Sequence, residues 1–183
     1  MRLREIPLTA WIGILGILFA FFCAVFASLI APFGEREIVA GVWEPANELY
    51  LLGTDNLGRD LLSRLIYGAQ TTLFVSLAAS ILSFSIGIFL SFTAAVSGGP
   101  IDQGLSRLND LMMSIPTLIF ALVVLAVLPQ NIFILIAVMA ILDSTRVYRL
   151  GRAVALDIAV MEFVEAAKLR GEGRMWIIFR EIL

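Results

Sequence analysis

Histidine is absent from the 183 residues, lysine and cysteine occur once each, at Lys168 and Cys23, and only 15% of the chain is charged. Each scarcity removes a class of function. With no histidine and no carboxylate cluster at metal-ligand spacing, the chain carries neither an acid–base catalytic site nor a transition-metal centre. Lys168 follows Ala167, so the Gly-Lys-Ser/Thr of a phosphate-binding loop is missing and the chain is not expected to hydrolyse ATP. A single cysteine excludes an internal disulfide. A net charge of -2 provides no extended basic field for phosphates, which argues against nucleic acid as a partner. The expectation is a non-enzyme without a cofactor.

What the chain has instead is apolar surface. Hydrophobic residues make up 60% of it and the mean hydropathy is +0.97, so lipid is the solvent for most of its length. No charged residue lies between Glu5 and Glu35, between Arg64 and Asp102, or between Asp110 and Asp143. Each interval exceeds the roughly 20 residues that carry a helix across a hydrocarbon core. The third is long enough for two passes, with Pro129-Gln130-Asn131 as a polar turn near its middle. Because the runs are continuous rather than alternating, helices are expected in place of barrel strands. The predicted fold is all-α: a polytopic transmembrane helix bundle of about four spans at Leu8 to Ala31, Ala69 to Val96, Leu111 to Leu128 and Ile132 to Arg149. Residues 32–68 form an outer loop and 150–183 a charged segment.

Basic residues are retained on the cytoplasmic side, which orients the spans. With the N-terminus inside, Arg2, Arg4, Arg107 and the seven basic residues from Arg146 to Arg180 are cytoplasmic, ten of the thirteen. Arg36, Arg59 and Arg64 stay outside among six carboxylates. Arg2 and Arg4 also resemble the basic start of a cleaved signal peptide, but the uncharged run behind them is longer than the usual apolar core, and a retained anchor is expected.

Small residues recur every fourth position at Ala79, Ser83, Gly87, Ser91 and Ala95, and at Gly16, Ala20, Ala24 and Ser28. Such stripes let helices approach closely in lipid, either as plain bundle packing or as the lining of a path. Pro116 removes a backbone donor and can bend the third span. Asp143 and Arg146 can pair at the end of the fourth, at the interface.

Two motifs remain. Gly53-Thr54-Asp55-Asn56-Leu57-Gly58-Arg59-Asp60 precedes the second span and reads as a turn followed by a short amphipathic helix. Thr54 or Asp55 is its expected cap, and Asp60 with Arg64 an i,i+4 pair. Glu162 to Gly171, containing Glu165-Ala166-Ala167-Lys168-Leu169-Arg170-Gly171, reads as a helix ended by a left-handed glycine, with a second helical piece from Trp176.

Together the two motifs resemble the inner-membrane permeases of ABC transporters of the dipeptide, oligopeptide and nickel uptake group, specifically the second permease of the pair. Ser114-Ile115-Pro116, Arg149 and Arg152 are similar as well. The resemblance implies that the Glu-Ala-Ala segment is a cytoplasmic coupling helix docking on an ATPase, with Val164, Glu165, Ala166, Ala167, Leu169 and Gly171 as its contact. It implies Gly53, Thr54, Asp55, Gly58, Arg59 and Asp60 as the family motif of the outer loop. The implied partners are a second homologous permease, two ABC ATPase subunits, an extracytoplasmic solute-binding protein and the lipid of a bacterial or archaeal cytoplasmic membrane. Family members continue beyond Ile182-Leu183, so a C-terminal truncation is expected. The competing readings are a structural membrane anchor or small channel, or a nonfunctional permease fragment.

Overall fold

The computed structural model describes residues 7–129 and 131–182. Arg2, Arg4, Gln130 and Leu183, on which parts of the orientation, turn and truncation readings fall, lie outside the described residues. Eight α-helices appear among the described residues: α1 (Leu8–Val25), α2 (Ala27–Ile30), α3 (Leu61–Ser97), α4 (Gly99–Ser114), α5 (Thr117–Val127), α6 (Ile132–Ala159), α7 (Glu162–Leu169) and α8 (Arg174–Ile177), followed by a π-turn (Ile178–Ile182). Two isolated β-bridges, Ile38 with Arg59 and Thr54 with Asp60, are the extended pairing found there. The all-α class is therefore as the apolar runs predict. The chain divides into two compact units, Met1–Val75 and Ser76–Leu183.

Two helices, α1 and α3, are long and apolar enough to cross a membrane, and a bent α4–α5 pair makes up to three. The four-span expectation is refined at its second half. The segment expected as the third span is not one rod: Ile115 is extended, Pro116 is non-helical, and α4 and α5 meet at 86°. Proline cannot donate to the preceding turn and pushes its predecessor out of the helical region, so the break falls where the ring does. The segment expected as a fourth span opens α6, which runs on to Ala159, carries Asp143, Arg146 and Arg149 inside its first eighteen residues and is not among the helices apolar enough to cross a membrane. The short amphipathic helix expected after the Gly-Thr-Asp motif does not exist separately. No proline interrupts 61–97, and the segment from Leu61 runs into the span as one 37-residue helix.

In the second unit, α6 packs against both α4 and α5, and the small stripe of α3 is buried. Ala79, Ser83 and Ser91 are at most 4% exposed, and Gly87 is buried with them. The last buried member is Ala94 rather than Ala95, because a 3.6-residue repeat drifts from a strict spacing of four. A methyl group at Gly87 would lie 2.6 Å from Val147 Cβ and 2.9 Å from the Ser144 carbonyl, and one at Gly151 would lie 2.5 Å from Ser91 Oγ. The stripe is a helix-packing face. Gly87→Ala is therefore expected to cost about 2 kcal/mol through overpacking, seen as a lower melting temperature in detergent. Gly104→Ala, whose added methyl meets nothing within 4 Å, should not lower it. In the first unit only Ala24 of the N-terminal stripe is fully buried, while Gly16 and Ser28 are exposed.

Candidate functional site

The loop between α2 and α3 is built around its motif. Thr54 is 2% exposed. Its hydroxyl donates to the Gly41 carbonyl at 2.7 Å and accepts from Glu44 N–H at 2.9 Å, while its own N–H reaches the Glu44 carbonyl at 3.0 Å. One threonine thus stitches residues 41 and 44 to the motif. Gly53 and Gly58 hold φ of +76° and +73°, and a Cβ on either would strike a backbone oxygen, Glu44 O at 2.4 Å or Ala40 O at 2.2 Å. Left-handed backbone and close approach together require glycine at both positions.

Asp55 collects the rest of the turn. Oδ1 accepts from the N–H groups of Leu57 at 2.7 Å and Arg59 at 3.1 Å, and Oδ2 from Arg59 Nε at 2.8 Å and from Arg64 Nη1. Burial opposes ionisation of this carboxyl, but the Arg59 amide and guanidinium and the Leu57 amide outweigh it and hold Asp55 well below the usual carboxylate range. A carboxylate so depressed stabilises the loop above its ordinary value of 3.8 and releases it only as pH falls through the lower folded value.

The cap of α3 is Asp60, not Thr54 or Asp55. Its Oδ2 accepts from Ser63 N–H at 2.8 Å and Ser63 Oγ at 2.7 Å, and its carbonyl accepts from Arg64 N–H. Arg64 accordingly pairs with Asp55 instead of the expected Asp60. The spacing suited both acids. The tie went to Asp55 because Asp60 is committed to the helix end. All six motif positions thus meet in one clasp whose visible work is to shape the loop.

The second motif forms a closed helical hairpin. Arg170 caps α7, Gly171 follows at φ +81°, Glu172 N–H bonds the Ala167 carbonyl at 3.2 Å, and Gly171 N–H bonds the Lys168 carbonyl at 3.0 Å. These paired bonds are a Schellman motif, the left-handed ending that the glycine predicts. Val164 and Ala167 are fully buried with Ile177, against Phe92, Val96, Ile158 and Trp176. Glu165, Ala166, Leu169 and Gly171 are exposed, Leu169 at 83%. Of the six candidate contact residues, then, two hold the hairpin to the protein and four face outward. Beside them Trp176 has the guanidinium of Arg180 at 5.7 Å from its ring centre.

A third cluster was not visible in the sequence. Asp102 on α4 accepts from Arg152 on α6 through two parallel bonds, Nε to Oδ1 at 2.5 Å and Nη2 to Oδ2 at 2.6 Å. Ser106 and Tyr148 join hydroxyls at 3.0 Å one turn away. The pairing spans fifty residues, and only the acid's place in the first turn of α4 hinted at it. The expected Asp143–Arg146 pair forms at 3.8 Å between well-exposed side chains, a weak surface contact.

Two helices long and apolar enough to cross a membrane, or up to three with the bent pair, give the chain the make-up of a membrane-spanning helical protein, and its α7 hairpin turns Glu165, Ala166, Leu169 and Gly171 outward. Residues 87–183 match the family described as binding-protein-dependent transport system inner membrane component, and the chain belongs to that family. It is similar to a di/tripeptide transport system permease protein of Pseudomonas aeruginosa, 34% identical over 91% of this chain and 57% of the relative. The dipeptide transport system permease protein of Haemophilus influenzae is 33% identical over 95% and 61%. An oligopeptide transport system permease protein of Bacillus subtilis is 27% identical over 100% and 60%. The chain thus spans less than two thirds of the length of these curated relatives.

Proposed function

We propose that this chain serves as a permease subunit of a binding-protein-dependent ABC importer that moves peptides across the cytoplasmic membrane, with ATP hydrolysed by separate subunits. The observation that carries the reading is the hairpin of α7: a membrane-family chain turns Glu165, Ala166, Leu169 and Gly171 outward from a helix closed by a Schellman turn and seated on a buried Val164–Ala167–Ile177 core. The peptide class rests on the names of the relatives. The working assembly is two permeases, two ATPases and an extracytoplasmic solute-binding protein, with the N-terminus cytoplasmic.

Exposure divides the contact residues into two experimental groups. Leu169→Asp and Ala166→Arg, on the outward face, are expected to weaken ATPase binding about tenfold each, roughly 1.4 kcal/mol, with unchanged membrane insertion. Ala167→Arg places a charge in a fully buried site and is expected to unfold the hairpin itself. Pull-down of the full-length chain from membranes expressing the neighbouring genes, followed by mass spectrometry, should recover an ATPase and a second permease. Normal ATPase recovery by Leu169→Asp would overturn the docking face; stable insertion with neither partner would overturn the transporter reading.

A further inference from the structure

Trp43 is the one non-glycine residue with positive φ among the described residues, at 57°. A bulky side chain there is strained and persists only when its surroundings over-determine it. Three hydrogen-bonded ties supply that constraint. Trp43 N–H donates to the Asp55 carbonyl at 3.2 Å, Glu44 Oε1 accepts from Gly41 N–H at 2.8 Å, and Thr54 bridges Gly41 and Glu44 from the far side. A four-residue turn is clamped at both ends and through its middle. Yet the two side chains at its tip gain no burial from this: Val42 is 59% and Trp43 70% exposed.

We propose that the Gly41–Glu44 turn is a lipid-seating tip, with Trp43 and Val42 entering the headgroup boundary of the leaflet from which α1 and α3 emerge, and phospholipid as the partner. Position argues for it first. The loop joins two helices each long and apolar enough to span, so it begins and ends at one membrane face. Leu61 N–H bonds the Gly53 carbonyl, and Thr54 N–H bonds the Glu44 carbonyl. That path of two hydrogen bonds and two chain steps keeps Trp43 within about 20 Å of the first residue of α3.

Chemistry argues for it next. Indole carries an apolar body and one N–H, the combination that settles at membrane interfaces. Ile38, Leu49 and Leu51 add exposed apolar surface to the same loop. The acids nearest the tip are engaged, Glu44 by Gly41 N–H and Asp55 by Arg59 and Arg64, which lowers the cost of bringing the turn to lipid.

The test places p-benzoylphenylalanine at position 43 of the full-length chain in its assembled complex, irradiates native membranes, and reads the adduct by mass. Phospholipid adducts are expected at 43 and at Phe19 of α1, and not at Glu48. A protein adduct at 43, or none there while Phe19 yields lipid, overturns the proposal. Independently of the probe, Trp43→Cys should react with an impermeant maleimide severalfold more slowly than Glu48→Cys; equal rates overturn it. Trp43→Gly relaxes the backbone and is expected to assemble at the wild-type level. Loss of assembly in that variant would show instead that the indole holds the loop together, and would also overturn the proposal.

Discussion

Gly58→Ala is expected to unfold the α2–α3 loop, at a cost of about 4 kcal/mol. Two penalties add. The residue sits at φ +73°, where any Cβ is strained, and the added methyl would lie 2.2 Å from the Ala40 carbonyl oxygen, a backbone atom with no side-chain freedom to move aside. Relief requires shifting the strand of loop whose Val39 and Ala40 N–H groups bond the Gly58 carbonyl at 2.8 and 3.2 Å. That displacement also pulls on Thr54 and Asp55, which hold Gly41, Glu44 and Trp43. The measurement is limited trypsin digestion at Arg36 and Arg59 in membranes opened so that both faces are accessible. Wild type should resist, Gly58→Ala should be cut rapidly, and Gly34→Ala, with its nearest new contact 3.4 Å away at a flexible carboxylate, should behave as wild type. Resistance in Gly58→Ala would mean that the loop has another way to fold.

Arg152→Ala is the second large effect, expected to destabilise the α4–α6 contact by about 3 kcal/mol, the lower part of the range for losing one partner of a buried pair. The pair is only partly buried, 30% exposed at Arg152 and 17% at Asp102, so solvent tempers the loss. Both bonds are short, parallel and charge-assisted, which places the interaction above an ordinary surface pair. Asp102→Ala should lose a similar amount. The double variant should lose clearly less than the sum, because neither single change then leaves an orphaned charge. Thermal unfolding of the four proteins in one detergent checks this. Strict additivity would show that the two side chains do not support each other.

Much of this molecule is legible in composition and local spacing. The helical class follows from uncharged runs that lipid permits only as helices, and the packing face of α3 from small residues at helical spacing. Gly171 ends α7 as the sequence suggests, because a left-handed ending is a local event decided within six residues. Where two local options competed, the sequence was mute. Both Asp55 and Asp60 suit a helix cap, and Arg64 suits either acid. The choice came from Ser63, Leu57 and Arg59, which commit each carboxylate to a different set of donors.

The chain alone therefore determined that this is a helical protein with membrane-spanning segments, since hydrophobicity and capping act over a turn or two. Tertiary structure decided which side of the α7 helix faces outward, because Val164 and Ala167 look no more buried than Ala166 until Ile177 and Phe92 are laid against them. It also decided the Asp102–Arg152 pair and the strained presentation of Trp43. Each depends on groups distant along the chain meeting in space, and no periodicity or motif encodes the closing of a loop whose two ends specify each other.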